Sequence, residues 1–477
     1  MYMLRSGLLA IACVSTALAQ AASPSTEPIV LDGTFQDWGD VPHGDMLRAA
    51  ADDTHLYLLL SIPGGPVNLQ GLDEPGILML NLDNDAATGG RNLTLPGADL
   101  EIAFSPSAGG RSGGAQIRFP GNGNTWLQPD RAALTFAPTI AHNRFEIRLP
   151  KKIRTPAESI LVSNTLQWAS AGSLGSQRGS CECGLLRATP QRAFDAIPEC
   201  PTSATRVVSW NVEFGGILNH PAPFVRIMRA LKPHIVLLQE LEPKQAASDI
   251  EAVLKDGVPG EWTVDLGPTG GALRSAVATR LPAKDMPRID MLKRRDSPKR
   301  GVRAAALRVA IPGVGEVAMV SLHLKCCGVA EGPEDMTRIA EVIAVRRALL
   351  DAQRKESLDG VVLGGDLNLV GSSRPLDLLI FDGEADLGGE GDFAIANAIR
   401  PSAQGFQTWE KAGQRYTPGR LDWIVYSGSS LQAVNAFVLA TEELPESQLQ
   451  SHGLNADDAA RAADHLPVVV DVAPRKR

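Results

Sequence analysis

Aromatic residues are scarce in this 477-residue chain, only 5% of the total, which argues against a long groove that stacks sugars or bases one after another. An excess of positive charge is missing too. The net charge is −8, and neither half carries more Lys and Arg than Asp and Glu, so a tight non-specific grip on a polyanion is excluded. A nuclease that holds its substrate weakly stays compatible with that balance. Beyond the amino terminus no apolar run reaches the roughly 20 residues of a spanning helix, so no transmembrane segment is expected. With six cysteines, the chain is also no disulfide-built miniature.

What is there describes a globular protein. Hydrophobic residues make up 44%, charged residues 21%, and mean hydropathy is −0.04. At roughly 100–200 residues per domain, the length favours two or three domains. The opening Met1-Tyr2-Met3-Leu4-Arg5, the apolar run Leu8 to Ala19 and the Ala17-Leu18-Ala19 ending predict a signal peptide over residues 1–19. Export to the periplasm or the medium follows from it. Cys13 sits in a poor lipobox, which disfavours a lipid anchor. Export makes the remaining five cysteines candidates for disulfides, and Cys181, Cys183 and Cys200 are expected to staple a linker. The Cys326-Cys327 pair reads as two buried or separately paired thiols rather than a vicinal disulfide.

Two grammars divide the chain. Residues 28–168 hold short period-two runs between Gly, Asp, Asn and Pro turns, among them Leu56–Leu60, Ile77–Leu82, Leu100–Phe104 and Phe145–Leu149. They predict an all-β antiparallel sandwich. Residues 169–203 read as a linker. From 204 to 474 strands alternate with helices: a strand at Val207–Trp210, then Phe224, Ile227, Met228 and Leu231 at helical spacing before Pro233. A second helix is expected from Pro243. A third is expected over Asp335–Leu350, with Met336, Ile339, Ile343 and Leu350 on its apolar face.

Polar residues recur just past the ends of the apolar strands in this second region: Asn211, Glu240, His323, Asp366 with Asn368, Asp422, and Asp464 with His465. Strand ends in an α/β domain converge on one rim, so these groups can share a cleft. Singly each is more often a cap, a turn or a solvated side chain. Six in one domain point to chemistry.

The blocks Ser209-Trp210-Asn211, Leu238-Gln239-Glu240, Ser321-Leu322-His323-Leu324-Lys325, Gly365-Asp366-Leu367-Asn368, Arg420-Leu421-Asp422-Trp423-Ile424 and Ala463-Asp464-His465-Leu466-Pro467 resemble the endonuclease/exonuclease/phosphatase superfamily over about residues 204–474. Ala463 departs from the usual Ser. The resemblance implies an α/β four-layer sandwich, two mixed β-sheets face to face with helices outside, and hydrolysis of a phosphoester with Mg²⁺ or Mn²⁺. It implies Glu240 as primary metal ligand, completed by Asn211 and Asp464. His465 becomes the base that takes a proton from water, held by Asp422. Asp366 and Asn368 position the nucleophile and bond the phosphate oxygens, and His323 donates to the phosphate or the leaving oxygen.

These assignments agree with elementary chemistry, since an anionic diester needs a hard cation and a base that titrates near neutrality. The block Tyr416-Thr417-Pro418-Gly419-Arg420-Leu421-Asp422 lacks the inositol-phosphatase pattern, and no paired-aromatic hairpin marks a sphingomyelinase. Nuclease or general phosphodiesterase leads, with DNA or RNA as candidate substrates. A sphingomyelinase-like phospholipid phosphodiesterase is the alternative. The alternative of another class is a surface-binding protein on an inert hydrolase scaffold. Lys293-Arg294-Arg295 with Lys299-Arg300 and Arg303 read as a solvated hairpin in preference to a phosphate contact.

Asp32-Gly33-Thr34-Phe35-Gln36-Asp37-Trp38 and Leu82-Asp83-Asn84-Asp85 resemble family-9-type carbohydrate-binding and DOMON-like sandwiches over about 28–150. That implies an accessory domain with a glycan or cell-surface ligand. Asp83 and Asp85 offer closely spaced oxygens for Ca²⁺ or simply an Asx-rich turn. Trp38 and Trp126 are the aromatics that stand out there, with Trp38 expected in the core.

Overall fold

The computed structural model describes residues 28–476 apart from 40, 43, 92, 109–110, 123–124, 153–159, 187–191, 269–271, 287–288, 290–300, 356 and 381–392. Residues 1–19, where a signal peptide was expected, and the basic residues Lys293 to Arg300 lie outside the described residues.

The main sheet of the amino-terminal region has nine strands among the described residues: β1 (Leu47–Ala51), β2 (His55–Ser61), β3 (Gly76–Asn81), β4 (Leu100–Phe104), β5 (Ala115–Arg118), β6 (Thr135–Ala137), β7 (Arg144–Pro150), β8 (Thr165–Gly172) and β9 (Arg178–Leu185). Their order is β6-β7-β2-β1-β9-β8-β3-β4-β5. The sheet folds over on itself at β9, so the two halves share one core. Leu58 and Phe145 of one half bury with Leu80 and Ile102 of the other, and the rings of Phe104 and Phe136 meet edge-on at 6.0 Å.

Three expectations are corrected here. The sheet is not wholly antiparallel, because β1 pairs with β9 in parallel. The expected linker 169–203 surrenders its first half, through Leu185, to the sandwich, since β9 alternates exposed Ser180 and Glu182 with buried Cys181 and Cys183. A thiol packs as a small hydrophobe, so that Cys-x-Cys spacing is a strand signal. All five described cysteines are free, and no staple forms.

The sites expected in the sandwich are occupied by its own groups. Trp38 is fully buried as expected, its Nε1 donating to Glu146 Oε1 at 2.9 Å, and the Arg118 guanidinium covers the Trp126 ring at 4.6 Å. In the Asp83–Thr88 loop, Asp83 Oδ1 accepts from Asp85 N–H (2.9 Å), Asp85 Oδ1 from Ala87 N–H (2.8 Å) and Asp83 Oδ2 from the Thr88 hydroxyl (2.8 Å). The carboxylates thus close an Asx turn.

The carboxy-terminal region stacks two six-stranded sheets. The first, in the order β12-β13-β11-β10-β21-β20, is made from β10 (Thr205–Asn211), β11 (Ile235–Leu241), β12 (Thr263–Leu266), β13 (Arg274–Thr279), β20 (Leu431–Val438) and β21 (Val468–Pro474). The second, in the order β14-β15-β16-β17-β19-β18, is made from β14 (Ala283–Asp285), β15 (Arg303–Ile311), β16 (Gly315–His323), β17 (Gly360–Asp366), β18 (Phe393–Ile395) and β19 (Asp422–Ser427). Each sheet mixes parallel and antiparallel pairs. They touch through Leu237 and Met319, Val362 and Ile424, and Gly364 lets Leu237 come close enough that a Cβ would stand 2.8 Å from it.

Helices α1 (Pro221–Leu231) and α2 (Ala247–Gly257) cover the first sheet with Phe224, Ile227, Leu231, Ile250 and Leu254. Helices α3 (Pro333–Lys355) and α4 (Arg374–Ile380) cover the second with Val342, Val345, Leu349 and Leu376. This is the four-layer arrangement that the sequence implied. The expected face of α3 holds in part: Ile339 and Ile343 pack at the edge of the core, but Met336 is 55% exposed, while Asp335, Arg338 and Arg346 are buried. Charged residues occupy that face because they bind backbone, as Arg338 Nη1 does at Lys325 O (2.9 Å) and Cys327 O (2.7 Å). No helix among the described residues is long and apolar enough to cross a membrane.

The two regions are in contact. A cavity of about 190 Å³ lies between them, lined by Leu31, Pro138 and Ile140 from the sandwich and by Leu369, Phe406 and Arg420 from the layered region.

Candidate active site

Sheet register brings the predicted residues together. The parallel β16–β17 pair sets His323 beside Asp366, and the antiparallel β17–β19 pair sets Asp366 beside Asp422. In the facing sheet, β10 and β11 run parallel with Asn211 opposite Gln239, which puts Glu240 one residue beyond that pair. Glu240 sits where the β11–β13 ladder slips, with φ +60°, and that bulge re-aims its side chain toward the other sheet. His465 is placed by its backbone. Its carbonyl accepts from Trp210 Nε1 at 2.8 Å, and the Trp210 ring is stacked on Phe224 of α1.

Asp366 Oδ2 is the geometric centre. It accepts from Asn211 Nδ2 at 3.0 Å and from Asn368 Nδ2 at 2.9 Å, and it lies 3.6 Å from His323 Nε2 and 3.8 Å from His465 Nε2. Its other oxygen accepts the Asn368 N–H at 2.9 Å. Burial, followed by the Asp422 and Glu240 charges, raises the Asp366 carboxyl to about 7 against the pull of His465. Glu240 Oε1 is 3.7 Å from His323 Nε2, and burial raises its carboxyl as well.

His465 Nδ1 meets Asp422 Oδ2 at 2.7 Å. Burial pulls this imidazole down, but Asp422 and Asp366 outweigh it and lift His465 to about 10. His323 is the opposite case, held well below its usual value by burial, Arg303 and His465. One imidazole is kept charged and the other neutral, which separates their roles.

A divalent cation fits this arrangement. Donor atoms of Glu240, His323 and Asp366 lie within 4.8 Å of one another, as do those of Asp366, Asp422 and His465. Burial disfavours the charged form of both Asp366 and Glu240, and a hard cation beside them would offset that cost. Asp464, expected as a third metal ligand, is outside both groups. Its Oδ2 accepts from Trp409 Nε1 and from Lys411 Nζ, each at 3.2 Å, so neighbouring donors hold it.

Several residues escaped the sequence reading. Thr408 donates its hydroxyl to Asp422 Oδ2 at 2.6 Å and accepts the N–H of Leu421 and of Asp422, each at 3.0 Å. Lys411 also pairs with Glu213, whose Oε2 accepts the Asp464 N–H at 3.1 Å. These contacts arise from an irregular stretch between strands, and no spacing advertises them. Arg303 was foreseen only as part of a basic run; it opens β15 and donates to Leu324 O at 2.5 Å.

Among solved structures, the chain is similar to the human Nocturnin catalytic domain with bound sulfate, at 15% identity, covering 58% of this chain and 97% of that one with a TM-score of 0.39. TDP2 from D. rerio, complexed with single strand DNA product, is similar at 15% identity over 57% and 99% of the two chains, TM-score 0.36. The 3′ phosphatase NExo from Neisseria, bound to product DNA hairpin, is similar at 19% over 56% and 98%, TM-score 0.38. No curated protein matches the chain. The Endonuclease/Exonuclease/phosphatase family model matches residues 208–465, a span that opens in β10 and closes on His465. With that match over more than half its length, the chain belongs to the endonuclease/exonuclease/phosphatase family and is a metal-dependent phosphoric ester hydrolase.

Proposed function

We propose that residues 204–474 hydrolyse phosphodiesters with Mg²⁺ or Mn²⁺, as a nuclease or general phosphodiesterase of an exported protein. The observation that carries the reading is the His465–Asp422 dyad at 2.7 Å, whose Nε2 faces Asp366 Oδ2 at 3.8 Å and Asn211 Nδ2 at 3.4 Å. In this scheme Glu240 is the primary ligand of the cation and Asn211 stands next to it. The bound cation supplies charge neutralisation at the phosphate and a field that lowers the affinity of nearby groups for protons.

The chain's own residues do the rest. With the cation neutralising Asp366 and Glu240, the charge that holds a proton on His465 in the metal-free protein would be offset, and the neutral ring would take the proton of the attacking water at Nε2, while Asp422 fixes the ring through Nδ1 and stabilises the imidazolium so formed. Thr408 keeps the Asp422 carboxylate in that plane. Asn211 and Asn368 hold Asp366 in place to orient the water, and their amides also suit the non-bridging oxygens. Neutral His323 donates an N–H to the phosphate or to the leaving oxygen as charge develops there.

The test is cleavage of bis(p-nitrophenyl) phosphate beside p-nitrophenyl phosphate, DNA, RNA and sphingomyelin, with and without chelator. The scheme expects metal-dependent diester turnover that His465→Ala lowers by ~10²–10⁴-fold while metal binding is retained. Near-normal turnover in His465→Ala would remove it as base. Preference for the monoester would move the assignment to a phosphatase. Export rests on the 1–19 pattern and is tested by cell fractionation.

A further inference from the structure

The stretch leading into β19 has little regular structure of its own, yet it carries Thr408, Trp409 and Lys411 to the site. It is gripped from two sides. Toward the cleft, Thr408 binds Asp422, and Trp409 and Lys411 bind Asp464. From the other side the grip belongs to the sandwich. Gly413 N–H donates to Asp130 Oδ2 (2.9 Å), Thr417 N–H to Gln70 Oε1 (2.9 Å), and Ala115 N–H to Arg415 O (2.7 Å). The approach is close: Gly114, with φ +77°, lies so near Arg415 that a Cβ there would strike its carbonyl.

The same sandwich reaches two more loops of the site. In the loop behind Asp366 and Asn368, Leu369 O accepts from Thr139 Oγ1 (2.8 Å), Val370 O from Asn68 Nδ2 (2.7 Å) and Gly371 O from Ala141 N–H (2.7 Å). In the loop behind His323, Ala330 N–H donates to Asn68 Oδ1 at 2.7 Å. Asn68 therefore spends both ends of its amide joining the two loops, and a carbonyl at one end with an N–H at the other fixes which atom is which.

Ordering each loop residue costs backbone entropy, and catalytic groups tolerate only about half an ångström of misplacement. A domain merely tethered beside an enzyme would leave those loops to order themselves. We infer that the β-sandwich is a working part of the active site, with Asn68 and Gln70 as positioning residues. Gln70 acts through Thr417 on the stretch that holds Asp422; Asn68 acts through Val370 and Ala330 on the loops behind Asp366 and His323. The inference rests on the phosphodiesterase reading for its kinetic half only.

The experiment uses the full chain, bis(p-nitrophenyl) phosphate and Mg²⁺, with Asn68→Ala, Gln70→Ala, Gln70→Glu and His465→Ala. Gln70→Glu keeps an oxygen for the Thr417 N–H. Expected are kcat losses of tenfold or more in both alanine variants with KM within twofold, and recovery to within threefold of wild type in Gln70→Glu. Amide hydrogen exchange is read in parallel, with at least tenfold faster exchange expected over 408–419 in Gln70→Ala and over 366–372 in Asn68→Ala. Unchanged kcat in both, or a loss that Gln70→Glu fails to rescue, overturns the inference. An inert wild type overturns the hydrolase reading instead, and exchange then decides alone: faster exchange upholds the grip of the sandwich, unchanged exchange ends it. If Asn68→Ala fails to fold, the Gln70 pair still decides.

Discussion

His465 is the residue on which charge matters most. Without a metal ion, burial opposes its protonation, yet Asp422 and Asp366 lift it to about 10, so the ring is an imidazolium at neutral pH. Its folded-state value lies above the ordinary ~6.5 of an unfolded chain. The stability that the pair contributes is therefore complete below pH 6.5 and lost as pH rises through about 10. Asp422→Asn should bring the His465 titration down toward its ordinary value and flatten that part of the stability profile. NMR titration of the ring and thermal unfolding of the metal-free protein between pH 6 and 10.5 would check both. Glu240→Gln removes the negative charge expected to hold the cation, so the Mg²⁺ concentration for half-maximal turnover should rise at least tenfold, read from activity against added metal. The site residues were legible because each closes or opens a strand whose apolar run is visible. Thr408 was not, since its importance comes from meeting Asp422 and Leu466 across a turn that no local pattern encodes.

Among the elements, β9 shows most plainly how a strand hides. Arg178–Leu185 has two buried side chains, both cysteines, in a stretch otherwise polar and glycine-rich. Read as redox chemistry, the spacing suggested a staple; read as packing, it is a period-two strand. Burial pushes the Cys181 thiol up to about 12 and Cys183 up to about 11. Iodoacetamide at pH 8 should therefore leave both untouched in the native protein and alkylate both after denaturation, as peptide mass spectrometry would show. Helix α3 misled for a related reason. Its inward face carries Asp335, Arg338 and Glu341, whose charges bind the loop after His323; Glu341 Oε2, for one, accepts the Lys325 N–H at 2.8 Å. A periodicity count that scores only apolar residues shifts such a helix toward one edge of its buried face, keeping Ile339 and Ile343 but taking in exposed Met336. The strands β10, β11, β16, β17 and β21 were clear because they are buried on both faces and each contains a short apolar run, such as Val207-Val208, Ile235–Leu238 and Val468–Val470.

At the scale of the whole molecule, the sandwich carries its own pH sensitivity. Glu146 lies in its core, where burial raises the carboxyl to about 8 although Gly33 N–H and Trp38 Nε1–H donate to it. The folded protein keeps this proton at pH values where an unfolded chain, with a carboxyl near ~4.3, has lost it. Its contribution is thus full below that value, declines as pH climbs, and is gone above about 8. Calorimetry of wild type should show unfolding temperature falling across that window, and Glu146→Gln should be flatter. The four-layer half was legible as a unit from its ordered motifs. The docking of the halves was not, because Asn68, Gln70 and Gly114 are ordinary turn residues until their partners some three hundred positions away are known. The lack of space at Gly114 also bears on how such a chain can change over time. The two halves are not interchangeable cassettes: a chimera that imports a foreign sandwich bearing any side chain at position 114 would collide with the Arg415 carbonyl, so gene shuffling at this boundary is fertile only when both faces travel together.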